Sequence, residues 1–179
     1  MEYICKTCGQ SHDSSKVSLA ADAPVQWLLL TEEERAESEL TDDVCMIHAE
    51  ARPSFYVRAC LEVPILQTEQ TFTWGVWVSL SEKSFREMGD HWEDPERTKL
   101  GPYFGWLCTK IPEYPDTVFM KTRVHQRAVG LRPLVELEPT EHPLSLDQKN
   151  GIEAARMQEI IAKVLHPEAG NFPDTEHSR

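Results

Sequence analysis

Apolar residues recur at every second position through FYVRACLEVPI (55–65) and TFTWGVWVSL (71–80), and a five-residue polar break separates the two segments. Alternation with β-branched and aromatic enrichment predicts a strand in each. In the second, Phe72, Trp74, Val76, Val78 and Leu80 share one face, and Trp77 lies on the other. A tryptophan on each face predicts a central strand covered on both sides. YFGWLCT (103–109), TVFMKTRVHQR (117–127) and LRPLVELEP (131–139) read as further strands, and Pro133 confines the last to a sheet edge or a strand start.

Elsewhere the pattern turns helical. Trp27–Leu30 is a short apolar run, and Thr31 with Glu34 forms a capping box for an acidic helix reaching Leu40, ended by Asp42 and Asp43. Ser81 caps a short helix, SEKSFREMGDHW, with Phe85 and Met88 on one face. Ser145 with Gln148 reads as another capping box, ahead of an amphipathic stripe of Ile152, Ala155, Ile160, Ile161, Val164 and Leu165 that Pro167 stops. The predicted fold class is α+β: a largely antiparallel sheet with a few packed helices, one globular domain over residues 1–167 and a flexible polar tail over 168–179.

Bulk properties narrow the setting. The chain has 179 residues, 40% hydrophobic and 27% charged, enough to bury a core without staples. Its formal net charge of −12 repels phosphate backbones and anionic membrane surfaces, so nucleic acid and membrane are unexpected partners and a basic protein fits better. No apolar run approaches a membrane span, and the opening MEYICKTCGQ lacks a secretory pattern. Five cysteines, an odd number without an export signal, predict a reducing, cytoplasmic setting.

The sharpest chemical signal lies within residues 1–48. In Cys5-Lys-Thr-Cys8-Gly9, two thiolates separated by two residues can both reach one tetrahedral zinc ion, and Gly9 permits the tight turn of such a knuckle. Further ligands could come from His12 or from Cys45 with His48, which repeat the two-residue gap. Structural zinc competes here with a pair of reduced thiols and with a redox dithiol. The last normally follows a strand and opens a helix, unlike this segment. Cys60 and Cys108 lie in apolar strand patterns and read as core.

Lys121, Arg123, His125 and Arg127 alternate along a predicted strand, so they form a basic stripe on one face, extended by Arg132. Arg123, His125 and Arg127 are thus candidate ligand-binding residues for an anion or acidic partner, against the simpler reading of a solvated face paired with carboxylates. Trp74, Trp77, Tyr103, Phe104 and Trp106 could line a pocket, but alternating strand aromatics are more often core. Asp42, Asp43, Asp116 and His142 sit at loop ends, where caps outnumber acid–base catalysts. No phosphate-binding glycine loop, nucleophile elbow or metalloprotease helix is present in the sequence, and no catalytic residue is assigned.

Taken together, CxxCGxxH at 5–12, DDVC at 42–45, FYVRACLEVPI, FTWGVWVSLSEKSF, YFGWLCTKIPEYPDT and VELEPTEHPLSLDQKNGI resemble the bacterial family known as domain of unknown function 2199. The resemblance spans roughly residues 3 to 165 and carries no reaction. Its pattern implies Cys5, Cys8, His12 and Cys45 as the metal ligands, with His12 ahead of His48. Two functions follow as expectations: a non-enzymatic binding or regulatory module with a structural zinc site, which could include an antidote to a basic toxin, or an enzyme whose pocket lies at Lys121–Arg127 and the nearby aromatics. With no nucleophile–base pairing visible, the module is favoured.

Overall fold

The structure, a computed structural model, describes residues 2–5, 8–13, 19–48 and 52–166. The tail expected over 168–179 lies outside these residues. The long strands β6 (Ser54–Pro64) and β7 (Thr71–Leu80) pair antiparallel over their lengths, from Phe55↔Leu80 to Pro64↔Thr71. Three shorter strands continue the meander: β8 (Tyr103–Leu107), β9 (Lys121–His125) and β10 (Leu134–Leu137). β10 then pairs back onto β6, which closes a five-stranded barrel. An up-and-down meander with an odd strand count brings its first and last strands together parallel. That seam is short, Leu134↔Cys60 and Val135↔Leu61. The sheet is therefore mixed, with a second parallel pair where β3 (Leu19–Ala20) meets β7.

Side-chain alternation along β6 and β7 divides the apolar residues between two clusters. Val57, Ala59, Leu61 and Val63 with Phe72, Trp74, Val76 and Val78 fill the barrel and its cap. On the outer face, Trp77 and Tyr56 pack with Cys45, Ile47 and Cys108. β4 (Glu39–Leu40), β5 (Val44–Ile47) and α1 (Val25–Leu28) supply partners to this second cluster. Trp77 donates its Nε1–H to the Ala21 carbonyl (3.0 Å), which ties the entry segment to the barrel wall. The two-sided covering expected for 71–80 is what the fold has. Tyr103 joins Trp74 and Trp77 indoors, but Phe104 and Trp106, expected in the core, are 55% and 38% exposed. They face outward from β8 and pack edge to face on each other, ring centroids 5.3 Å apart.

The helices follow their caps. Thr31 starts α2 (Glu32–Ala36) with the expected reciprocal capping box, but the helix stops early and Leu40 belongs to β4. Ser81 accepts from the Ser84 amide at the start of α3 (Glu82–Asp90). The continuous C-terminal helix is instead two, α4 (Pro143–Asn150) and α5 (Ala154–Leu165). His142 caps α4, its Nδ1 accepting from the Leu144 amide, and Pro143 occupies the first turn, where its missing N–H costs nothing. Ser145 is thus inside the helix, and its hydroxyl donates to the Glu138 carbonyl. Gly151 at φ +81° breaks the axis, and Ile152 bridges to Ile65 beside the end of β6. α5 buries Met157, Ile160 and Ile161; Ala155 and Leu165 of the expected stripe are exposed, because the break shifts the helix phase.

Gln148 of α4 supports the barrel's closing seam. Its Nε2 donates to the Val135 carbonyl (2.7 Å), and its Oε1 accepts from the Leu137 amide (2.8 Å). The side-chain amide thereby takes the place of strand neighbours where β6 no longer reaches β10. Removing it leaves half-buried backbone groups without partners, so Gln148→Ala should lower unfolding free energy by about 1–3 kcal/mol. Urea denaturation measures this, and a midpoint equal to the parent's would show that the seam holds without the amide.

Candidate metal centre

Three metal-competent side chains, two from near residue 5 and one from residue 166, come together. The ligand atoms of Cys5, Cys8 and His166 all lie within 4.8 Å of one another. β1 (Glu2–Ile4) and β2 (Ser11–Asp13) form a small antiparallel ribbon that presents the cysteines. Between the strands the chain turns tightly: the Gly9 amide donates to the Cys5 carbonyl (2.8 Å), and the Cys5 amide donates to Gln10 (2.9 Å). Gly9 sits at φ +71°, a conformation that favours glycine, so the turn foreseen from its position is present. His166 follows the last residue of α5, its amide donating to the Ala162 carbonyl (2.9 Å). Cys5 is buried, Cys8 exposed and His166 half-buried.

Two thiols and an imidazole suit a borderline-soft ion of zinc's kind. Ligands bound tetrahedrally to zinc lie about 3.5–3.8 Å apart, so this group needs only a small contraction to take one. A Cys2His group able to hold a metal ion is thus part of the fold.

Of the sequence-derived ligands, Cys5 and Cys8 belong to this group. The side chain of His12 lies outside the described residues; its backbone pairs with Tyr3 in the ribbon. The structure places Cys45 elsewhere, in the apolar cluster with Ile47, Tyr56, Trp77 and Cys108, fully buried. Burial there, with the charge of Glu39 adding to it, pushes its thiol up to about 12. Such surroundings oppose the thiolate that a metal requires. His48, exposed after β5, is outside the group as well. The histidine that does join the cysteines is His166. Its only local signal is a helix end followed by Pro167, and that says nothing about which distant segment it meets.

The basic stripe is real as a surface: Lys121 and Arg123 face outward from β9 while Thr122 and Val124 are buried. Most of it is neutralised. Lys121 approaches Glu138 (3.5 Å), His125 meets Glu136 (2.8 Å), Arg127 meets Glu62 (3.1 Å) and Arg132 meets Asp43 (2.7 Å). Arg123 has no ion-pair partner among the described residues, and Phe104 stands opposite it on β8. The stripe therefore reads mainly as a paired, solvated face. Cys108 is buried as expected, its thiol raised by desolvation, whereas Cys60 is only half-buried and lines a cleft beside Arg97.

An α+β barrel protein bearing a terminal two-cysteine, one-histidine group is the class that fold and site define. The chain belongs to the family described as an uncharacterized protein conserved in bacteria, domain of unknown function 2199, whose model matches residues 4–152. That span contains both cysteines and ends before His166. No curated protein and no solved structure matches the chain. No helix among the described residues is long and apolar enough to cross a membrane.

The buried titratable groups give a testable pH dependence. Desolvation raises the pKa values of Cys45, Tyr56 and Tyr103 to about 12, and also raises those of Cys108 and Tyr114. The folded state therefore keeps protons that the unfolded chain releases. This stabilisation is whole below the unfolded thiol pKa of about 8.5, and it is lost as pH rises from there towards about 12. Denaturant unfolding should show stability falling across that range. At about pH 8, Cys45 and Cys108 should resist iodoacetamide until denaturant is added. Rapid labelling of either in the native protein would contradict the burial described.

Proposed function

We propose that this chain is a non-enzymatic binding module whose N-terminal ribbon is pinned to the end of α5 by a structural zinc ion. The reading rests on one observation, the gathering of Cys5, Cys8 and His166 from opposite ends of the chain within 4.8 Å. A structural zinc site takes four protein ligands. His12, which the family resemblance favours, is the fourth in this proposal; its place in β2 keeps it on the same short ribbon as the cysteines.

Zinc would do here what a disulfide does in an oxidising compartment. Cross-linking segments more than 100 residues apart removes about 4–5 kcal/mol of chain entropy from the unfolded state on a loop-closure account. A two-residue parallel seam and a three-residue terminal ribbon gain most from such a link. A site closed by four ligands has no position for substrate at the ion, so the zinc in this proposal is structural. The net charge of −12 supports a basic protein as partner, in a reducing cytoplasm that keeps the thiols available.

The test is metal analysis of protein purified without added metal. About one equivalent of zinc is expected, falling below about one-tenth in Cys8→Ser and in His166→Ala, with chelation lowering the melting temperature. Parent protein carrying less than about one-tenth equivalent, with a melting temperature indifferent to chelator, would remove the proposal.

A further inference from the structure

A second constellation, independent of the zinc reading, lies between the 3₁₀ turn Pro95–Lys99 and the segment that leads from β9 to β10. Arg97 is 1% exposed, yet no carboxylate among the described residues pairs with it. Backbone carbonyls hold it instead. Its Nε donates to Arg127 (2.8 Å), one terminal nitrogen to Leu131 (2.9 Å) and the other to Trp92, whose ring lies 4.8 Å from the guanidinium carbon. Carbonyls and a ring face orient this cation and leave its full charge in place. A buried cation without a counter-ion is costly, and a bound anion relieves that cost.

The space beside it can take one. A cleft of about 500 Å³ is lined by Arg97, Arg127, Arg132, Trp92, Asp43 and Glu93, with Cys60 at its wall. Arg127 uses Nε on the Arg132 carbonyl (2.6 Å) and Nη1 on Glu62, and Arg132 uses Nε on Asp43 and Nη2 on the Asp42 carbonyl (3.2 Å). Each guanidinium therefore keeps one terminal nitrogen, Nη2 of Arg127 and Nη1 of Arg132, with no acceptor among the described residues. Their other contacts fix them in place, so little ordering cost is left for a ligand to meet. Glu93 is the one lining carboxylate without an ion-pair partner among the described residues, and it opposes an anion.

We infer that this cleft binds a small dianion, of the size of a phosphate group or a short dicarboxylate, through Arg127 and Arg132 over the buried charge of Arg97. Planar forks of this kind match both oxyanions. Of the stripe residues singled out for ligand binding, Arg127 is the one lining this cleft; Arg123 and His125 are not among its lining residues.

Side-chain Nε–Hε NMR of the ¹⁵N-labelled full chain tests this, titrated with inorganic phosphate or succinate against sodium chloride at matched ionic strength. Saturable shifts at the Arg127 and Arg132 signals are expected with at least one dianion. Phosphate alone would mark a tetrahedral group as the preferred ligand, succinate alone a carboxylate. Arg132→Gln should weaken binding by about tenfold, the scale of one charge-assisted hydrogen bond, and Glu93→Gln should tighten it by about threefold. Shifts no larger than those from chloride overturn the inference, whether or not the variants fold. So would saturable binding that neither substitution changes.

Discussion

Everything in this fold depends on closing a five-stranded meander through a parallel seam only two residue pairs long. The odd strand count makes that pair parallel, and parallel pairing is slightly weaker per residue than antiparallel. Without closure, β10 and the part of β6 beyond its β5 partners would each expose an edge, and the apolar residues that β6 and β7 direct inward would face water. The molecule compensates with parts from outside the sheet. The Cys60 amide donates to the Pro133 carbonyl just before β10 begins, and Gln148 then serves the backbone of β10 beyond the last β6 partner. Pro133 fits because it stands at the strand start, where its missing N–H leaves no gap in the ladder. One helix thus completes the barrel while Leu144 beside it fills the core.

The strands were legible in the sequence because period two survives any tertiary arrangement. Trp74 and Trp77 on opposite faces announced a strand with two covered sides, and each now anchors its own cluster. Closure was not legible. Nothing local in LRPLVELEP says that its second neighbour is a strand about seventy residues earlier. The C-terminal helix was misread at one residue for the same reason: Gly151 allows a break that periodicity cannot see, and the break shifts the buried face from Ala155 to Ala154 and Met157. Phe104 and Trp106 show the converse limit. Alternation put them correctly on one face of β8, but whether a face is covered depends on elements far away in sequence.

The metal group divides along the same line. A CxxC turn carries its own geometry, since a tight reversal points residues i and i+3 at one centre, and here the Gly9 amide on the Cys5 carbonyl and the Cys5 amide on the Gln10 carbonyl hold that reversal. His166 arrives only through the packing of α5, which no spacing encodes. The family match begins at residue 4 and ends at 152, so it takes in the knuckle without the helix end that meets it.

Cys45 and His48 repeat the knuckle's spacing, and the contrast between the two pairs is instructive. Cys45 lies in β5, where residues three apart project to opposite faces. An extended chain therefore cannot aim both side chains at one ion, however well the interval matches. Cys45 turns inward to Tyr56 and Trp77, and His48 ends exposed. The same interval in a turn gathers two side chains that could share an ion, and in a strand it separates a core residue from a surface one. A cysteine–histidine motif acquires its chemical meaning from the backbone conformation beneath it, and Gly9 at positive φ was the residue that distinguished the two cases.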